Sequence, residues 1–280
     1  SAPTKQISVD DLINKMAKNE NNTQNLTYKQ NGKILIHASS LTTSKIKTPI
    51  NFSGYAGEII GISGLSGSGK STLLKTLFGL YKINTGEITI HPNHRPEVYT
   101  NPQKAIKLGV AFVGEDRRTM GIFAGQSLKT NIMIPKIRSQ LYNFINHQKE
   151  KKSANKLIKK LNIECKNTQQ NILELSGGNQ QKLILGRWFN QKSTIFLLDE
   201  PTRGIDINSK ELIHKFLRNL ANKGKCIIIA SSENEELITL CTRIFVMSDY
   251  NIIRKIDKKS YSEKILIDTA FSEHKGSQVW

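Results

Sequence analysis

The sequence predicts an α/β fold, a mostly parallel sheet covered by helices on both faces, and three observations support it. Short, nearly uninterrupted apolar runs recur along the chain: KILIHA, GEIIGIS, GEITI, GVAFVG, TIFLLDE, KCIIIAS, RIFVMS and NIIRKI. Runs without polar alternation suit strands buried on both faces, which is how parallel sheets are built. Helical patterns separate several of them, among them KSTLLKTLFGLY and NSKELIHKFLRNLANKG. The third observation is a gap. Between Phe123 and Leu173 the strand pattern stops and the chain turns helical, polar and basic, as an inserted subdomain would.

Taken in order, SVDDLINKMAK in residues 1–19 reads as a helix, with Ser8 suited to the N-cap and Leu12, Ile13 and Met16 at helical spacing. NENNTQN after it is a polar linker, so residues 1–29 stand apart from a main domain expected over 30–274. After GEIIGIS, the residues Leu73, Leu74, Leu77 and Leu80 are expected on one face of a helix. The helical insertion is expected over about 116–180. NSKELIHKFLRNLANKG ends on Gly224, a residue suited to a helix C-cap. SYSEKILIDTAFSEHK reads as a final amphipathic helix, and 275–280 as a tail.

Composition narrows the function classes. A chain of 280 residues, 38% hydrophobic, suits one large α/β domain or two small ones. No apolar run approaches the ~18–20 residues of a membrane helix, and the first residues have no apolar leader core. Cys165, Cys226 and Cys241 are too scattered for a disulfide or zinc framework and are expected to be reduced thiols of a cytosolic protein. The net charge is +18, with the densest lysines at 149, 151, 152, 156, 159 and 160. They read as a solvated helix face. No aromatic residues interleave with them, so nucleic acid is not an expected partner; a basic face near a membrane-embedded partner fits better.

The chemistry concentrates in three motifs. GLSGSGKST runs from Gly64 through Leu65, Ser66, Gly67, Ser68, Gly69, Lys70 and Ser71 to Thr72, between a strand and a helix. This is the phosphate-cradling pattern: glycines let backbone N–H groups turn inward, Lys70 reaches the outer phosphates, and Ser71 offers an oxygen to Mg²⁺. In STIFLLDEPT a buried strand delivers Asp199 to its C-terminal end, where it can share that metal with Ser71. Glu200 beside it can orient and polarise a water; alone, it would read as the first charge of the next helix. LSGGNQQK, with Leu175, Ser176, Gly177, Gly178 and Gln180, makes a second anion-binding helix start. A chain already holding a phosphate loop has use for a second such turn if it is offered to a nucleotide on another domain.

These motifs, in this order and spacing, resemble the ATPase subunits of ABC transporters. GEDRRTMGIFAGQSLKTNI (from Gly114), LSGGNQQK, DEPTRGID and SSENEEL (from Ser231) further resemble the second half of the tandem ATP-binding proteins of bacterial ribose, galactose and xylose importers. The resemblance covers about residues 30–274 and implies a P-loop fold of ABC type, with an antiparallel β subdomain beside the parallel sheet. It implies an ATPase using ATP and Mg²⁺ at the cytoplasmic face of the bacterial membrane. The implied partners are a second ATPase half, permease subunits and, indirectly, an extracytoplasmic solute-binding protein. The start of the chain resembles the closing helix of a first half, so a fragment of a tandem protein is expected. By motif, residues 64–72 bind the phosphates, Ser71, Asp199 and Glu115 face the metal, Glu200 is the base, and Asp206 belongs to the segment that meets the other half. The general ABC pattern has glutamine where this chain has Glu115 and histidine where it has Ser232. Both departures imply slow turnover, while the intact GSGKST loop implies secure binding. Ile46 and Phe52 are the candidates to stack on adenine. A nucleoside importer shares the layout. A nucleic-acid-linked ABC ATPase fits the charge but not the EDRR and SSE segments, and a GTPase would need an N-K-x-D motif that is missing.

Overall fold

The computed structural model describes residues 32–91, 96–137, 147–189 and 193–272. The expected helix and linker of residues 1–29, the boundary at residue 30 and the tail at 275–280 lie outside the described residues.

Two sheets organise the described residues. The first is antiparallel, formed by β1 (Ile34–Thr43), β2 (Ile50–Tyr55), β4 (Ile83–Ile90) and β5 (Glu97–Val98) in the order β2-β1-β4-β5. The second holds β3 (Ile59–Ser63), β6 (Val110–Val113), β7 (Ile195–Asp199), β8 (Cys226–Ala230), β9 (Arg243–Ser248) and β10 (Asn251–Asp257). Its order is β10-β9-β3-β8-β7-β6; only the β9–β10 pair is antiparallel. The mixed architecture is thus the expected one. The strands β2 and β5 escape the apolar pattern. β2 lies at a sheet edge and alternates buried Ile50 and Phe52 with an exposed Asn51, so it lacks the continuous run of a central strand.

The central strands are buried on both sides. From β7, Ile195 and Leu197 join a core with β1, β4 and the leucines of α1 (Lys70–Leu77). Phe196 and Leu198 enter a second core with the helices on the other face. Those helices include α3 (Leu128–Ile137), α4 (His147–Lys160), α5 (Gly177–Phe189), α6 (Ile207–Asn222), α7 (Asn234–Leu240) and α8 (Glu263–Ser272), while α2 (Pro102–Lys107) precedes β6. The first helix is shorter than its leucines suggest. It ends at Leu77, Gly79 turns the chain at φ +84°, and Leu80 is 45% exposed instead of sharing the apolar face.

Arg243 ties the two sheets. Its Nε donates to Glu58 Oε1 at 2.5 Å and its guanidinium also bonds the Ser53 carbonyl on β2. Because β3 lies between β8 and β9, the loops leaving β3, β7 and β8 emerge at one C-terminal edge, where open α/β sheets bind ligands. Among the described residues no helix is long and apolar enough to cross a membrane.

Candidate functional site

Residues 64–72 form the turn from β3 into α1. Gly64 has φ +145°, and a Cβ there would run into the Met247 carbonyl oxygen and sit 2.6 Å from Ser68 Oγ. Only glycine fits. Lys70 folds back across the loop, donating from Nζ to the carbonyls of Gly64 at 2.6 Å and Leu65 at 3.1 Å. Burial lowers its pKa, against the opposing pull of Glu200, Asp199 and Glu115. These three carboxylates therefore all act on the same ammonium.

Asp199 ends β7 and is 1% exposed. Its Oδ1 accepts from Ser71 Oγ at 3.0 Å, while its Oδ2 is buried with no hydrogen-bond partner. Burial pushes its pKa up to about 6; the Ser71 hydrogen bond opposes this, and the charges of Glu115 and Glu200 add to it. An unpaired buried carboxylate oxygen is costly. A hard cation on Oδ2 and Ser71 Oγ would remove that cost, and all-oxygen donors suit Mg²⁺. Ser68 Oγ is likewise buried and unpartnered.

Glu200 leaves the strand at φ +48°, a conformation few side chains adopt, and its N–H still bonds Ala230 O at 2.8 Å. In a regular strand consecutive side chains point to opposite faces. The turn at Glu200 re-aims its carboxylate, and both Asp199 and Glu200 act on Lys70. Ser232, beyond β8, donates from Oγ to Glu200 Oε2 at 3.1 Å. Burial raises the Glu200 pKa, with the Ser232 bonds working against it. A carboxylate held in this way is suited to accept a proton from water. Glu115 stands at the margin: it is exposed and ion-paired to Arg203 of the TRGID segment.

The second motif lies elsewhere on the molecule. None of the hydrogen bonds made by Ser176, Gly177 or Gln180 reaches residues 64–72. Leu175 is buried, and Ser176 is exposed at the start of α5. Ser176 Oγ accepts from Asn179 N at 3.4 Å and Asn179 Nδ2 at 3.0 Å. A Cβ on Gly178 would lie 2.8 Å from Ser209 Oγ and 3.1 Å from Asp206 Oδ2. Asp206 itself caps α6, its Oδ1 accepting from Ser209 N at 2.9 Å. Gln180, read with the signature as serving the opposite site, bonds through its amide to the carbonyls of Ile172 and Leu175 at 3.3 and 3.1 Å.

Three residues near these motifs were absent from the sequence reading. Asn179 holds Ser176, and Arg117 donates to the Gly177 carbonyl at 2.7 Å. Tyr250 lies against Gly69. Their partners are set by folding; Asn179 and Arg117 stand inside the segments LSGGNQQK and GEDRRTMG, whereas Tyr250 lies outside every motif. Ile46 and Phe52, the adenine candidates, are 0% and 2% exposed in the core between the sheets, so neither presents a stacking face.

Over residues 47–203 the chain matches the ABC transporter family. The chain belongs to that family. Among curated ABC proteins it is 36% identical over 267 residues to the ribose import ATP-binding protein RbsA of Clostridium tetani, covering 94% of this chain and 52% of that protein. It is 37% identical over 247 residues to the arabinose import ATP-binding protein AraG of Pectobacterium atrosepticum, covering 87% and 48%. The chain thus spans about half the length of the curated relatives it matches. Solved ABC cassettes share the fold. An ADP-state cassette superposes with a TM-score of 0.71 at 17% identity, covering 88% of this chain and all of that one. A dimeric post-hydrolysis cassette bound to ADP and Pi gives 0.67 at 22%, covering 81% of this chain and all of that one.

Proposed function

We propose that this chain is the ATP-binding half of a bacterial ABC importer, coupling ATP binding and hydrolysis to monosaccharide uptake from the cytoplasmic face of the membrane. The observation that carries the ATP site is the pair of buried, unpartnered oxygens at the phosphate loop, Asp199 Oδ2 and Ser68 Oγ, beside Lys70. The sugar class rests on the resemblance to ribose and arabinose import proteins.

In this reading the N–H groups of residues 64–72 and the Lys70 ammonium bind the phosphate chain. Lys70 gives up its bonds to the Gly64 and Leu65 carbonyls as it does so. Ser71 and Asp199 would hold Mg²⁺, with Glu115 able to approach once released from Arg203, and the ion would supply charge neutralisation on the phosphates. Glu200 takes the proton of the attacking water. Ser176, Gly177 and Gly178 serve a nucleotide on a second ATPase half, and the segment ending at Asp206 meets that half. Residues of the helical insertion, about 116–180, face the permease, which receives solute from an extracytoplasmic binding protein. Ser232 offers a short hydroxyl already committed to Glu200, with no imidazole for the γ-phosphate. Loss of one such contact costs on the order of 10²–10³ in rate, so turnover is slow.

Calorimetry tests the site. Mg²⁺–ATP binds the wild-type chain, and Lys70→Ala weakens binding on the order of 100-fold or more through loss of a charge at the phosphates. Equal affinity in the variant overturns the assignment. Uptake by cells expressing the full importer, with ribose and arabinose against a nucleoside, tests the solute class; nucleoside uptake alone overturns it.

A further inference from the structure

We infer that Tyr250 is a positioning residue of the phosphate loop: the turn between β9 and β10 clasps the loop from outside and sets the direction of its Gly69 N–H. The inference rests on the ATP-site reading above and deepens it.

Ser248 pairs with Asn251, so Asp249 and Tyr250 alone make the turn. Both have positive φ, +43° and +64°. Two-residue hairpin turns of this hand favour Asn-Gly, because the second position suits a residue without a side chain. A bulky tyrosine there is an outlier that needs a compensating contact.

The compensation is the phosphate loop. Tyr250 N–H donates to the Ser68 carbonyl at 2.9 Å. A Cβ built on Gly69 would stand 2.8 Å from both Tyr250 Cα and ring Cδ1, so the tyrosine covers one face of Gly69. In a trans peptide the C=O and N–H point in opposite directions. Anchoring the Ser68 oxygen on the hairpin therefore turns the Gly69 N–H away from it, toward the inside of the loop. Any residue but proline could supply the backbone N–H. The ring adds a wall that stops the Ser68–Gly69 peptide from rotating. The same hairpin's first strand braces the start of the loop, where Gly64 packs on the Met247 carbonyl and Ser63 pairs with Val246.

Tyr250→Gly removes the wall and at the same time relieves the disfavoured backbone conformation. The opposing effects keep the melting temperature of the nucleotide-free chain within a few degrees of wild type. Loss of preorganisation weakens Mg²⁺–ATP binding on the order of tenfold. Because the contact is with the phosphate-binding segment, Mg²⁺–tripolyphosphate loses affinity by the same factor, and Tyr250→Phe behaves as wild type with both. Wild-type ATP affinity in Tyr250→Gly overturns the inference. So does a loss confined to ATP, which would mark a base contact, or a loss that only tracks a large fall in melting temperature. Lys70→Ala serves as the control: if it binds ATP like wild type, the nucleotide site itself is misassigned, and that failure is distinct from a failure of the Tyr250 role.

Discussion

The two glycine-containing turns that open α1 and α5 differ in how complete they are. At residues 64–72 every functional group has its neighbours in the same domain: Lys70 spans the loop, Ser71 reaches Asp199, and Ser232 reaches Glu200. Lys70 and Asp199 are buried, Ser71 and Glu200 half-buried and Ser232 exposed, and the buried Asp199 Oδ2 and Ser68 Oγ have no hydrogen-bond partner. At Leu175–Gln180 the chain provides stiffness and little else. Arg117, Asn179 and Asp206 fix the helix start from behind, and Ser176 is left exposed. One turn gathers Lys70, Ser71, Asp199 and Glu200 around a single loop. The other is an exposed helix start whose hydrogen bonds do not reach residues 64–72.

The largest test of the contrast is Glu200→Gln. With Mg²⁺–ATP saturating and a partner half present, phosphate release falls ~10²–10⁴-fold, the usual cost of losing a general base, while ATP affinity stays within a few-fold. Unchanged release in steady-state assays refutes the role of Glu200.

Gly178→Asp probes the other turn. Its side chain meets Ser209 and the Asp206 carboxylate, so it should cost about 1–2 kcal/mol by disturbing the α6 cap. Thermal melting would show a drop of several degrees, with ATP affinity of the isolated chain unchanged and ATP-dependent pairing with a first half lost. A fall in ATP affinity would mean that the two turns are not separate.

Asp199 supplies a pH signature of the pocket alone. Its folded pKa of about 6 lies above the ordinary 3.8, so its contribution to stability is complete below the unfolded value and is lost as pH rises through 6. Without Mg²⁺, Asp199→Asn should therefore gain in melting temperature relative to wild type between pH 4 and 7. A difference that is flat with pH would show that Asp199 is not the strained group. The smallest effect belongs to Ser232→Ala. Glu200 loses a donor that holds its pKa down, so turnover drops a few-fold and the acidic limb of the pH–rate profile moves to higher pH. An unmoved limb would separate Ser232 from Glu200.

Much of the pocket was legible because its information is local. A phosphate loop needs its glycines, lysine and serine in consecutive positions, and a buried strand announces where Asp199 will end up. The parallel sheet was legible for the same reason, through runs that stay apolar on both faces. What escaped depends on partners distant in sequence. Arg203 reaches Glu115 and Arg117 reaches Gly177 across separations that leave no periodic trace. Edge strand β2 alternates, so it hid among polar residues, and its Phe52 looked available for adenine when it is a core side chain. Leu80 followed the spacing of α1, but Gly79 had already turned the chain. Tyr250 sits in a two-residue turn whose sequence argues against the turn it makes.

The place of β3 between β8 and β9 also governs when the molecule can first work during its own synthesis. Ser63, at the foot of the phosphate loop, bonds Asn234 at 2.8 Å across 171 positions of chain. Ribosomes add ~5–20 residues per second, so the loop emerges roughly 10–30 s before its flanking strands exist. Through that interval β3 is an apolar strand with two open edges, a template for wrong pairing. ATP cannot stabilise the nascent chain until the C-terminal third has been made.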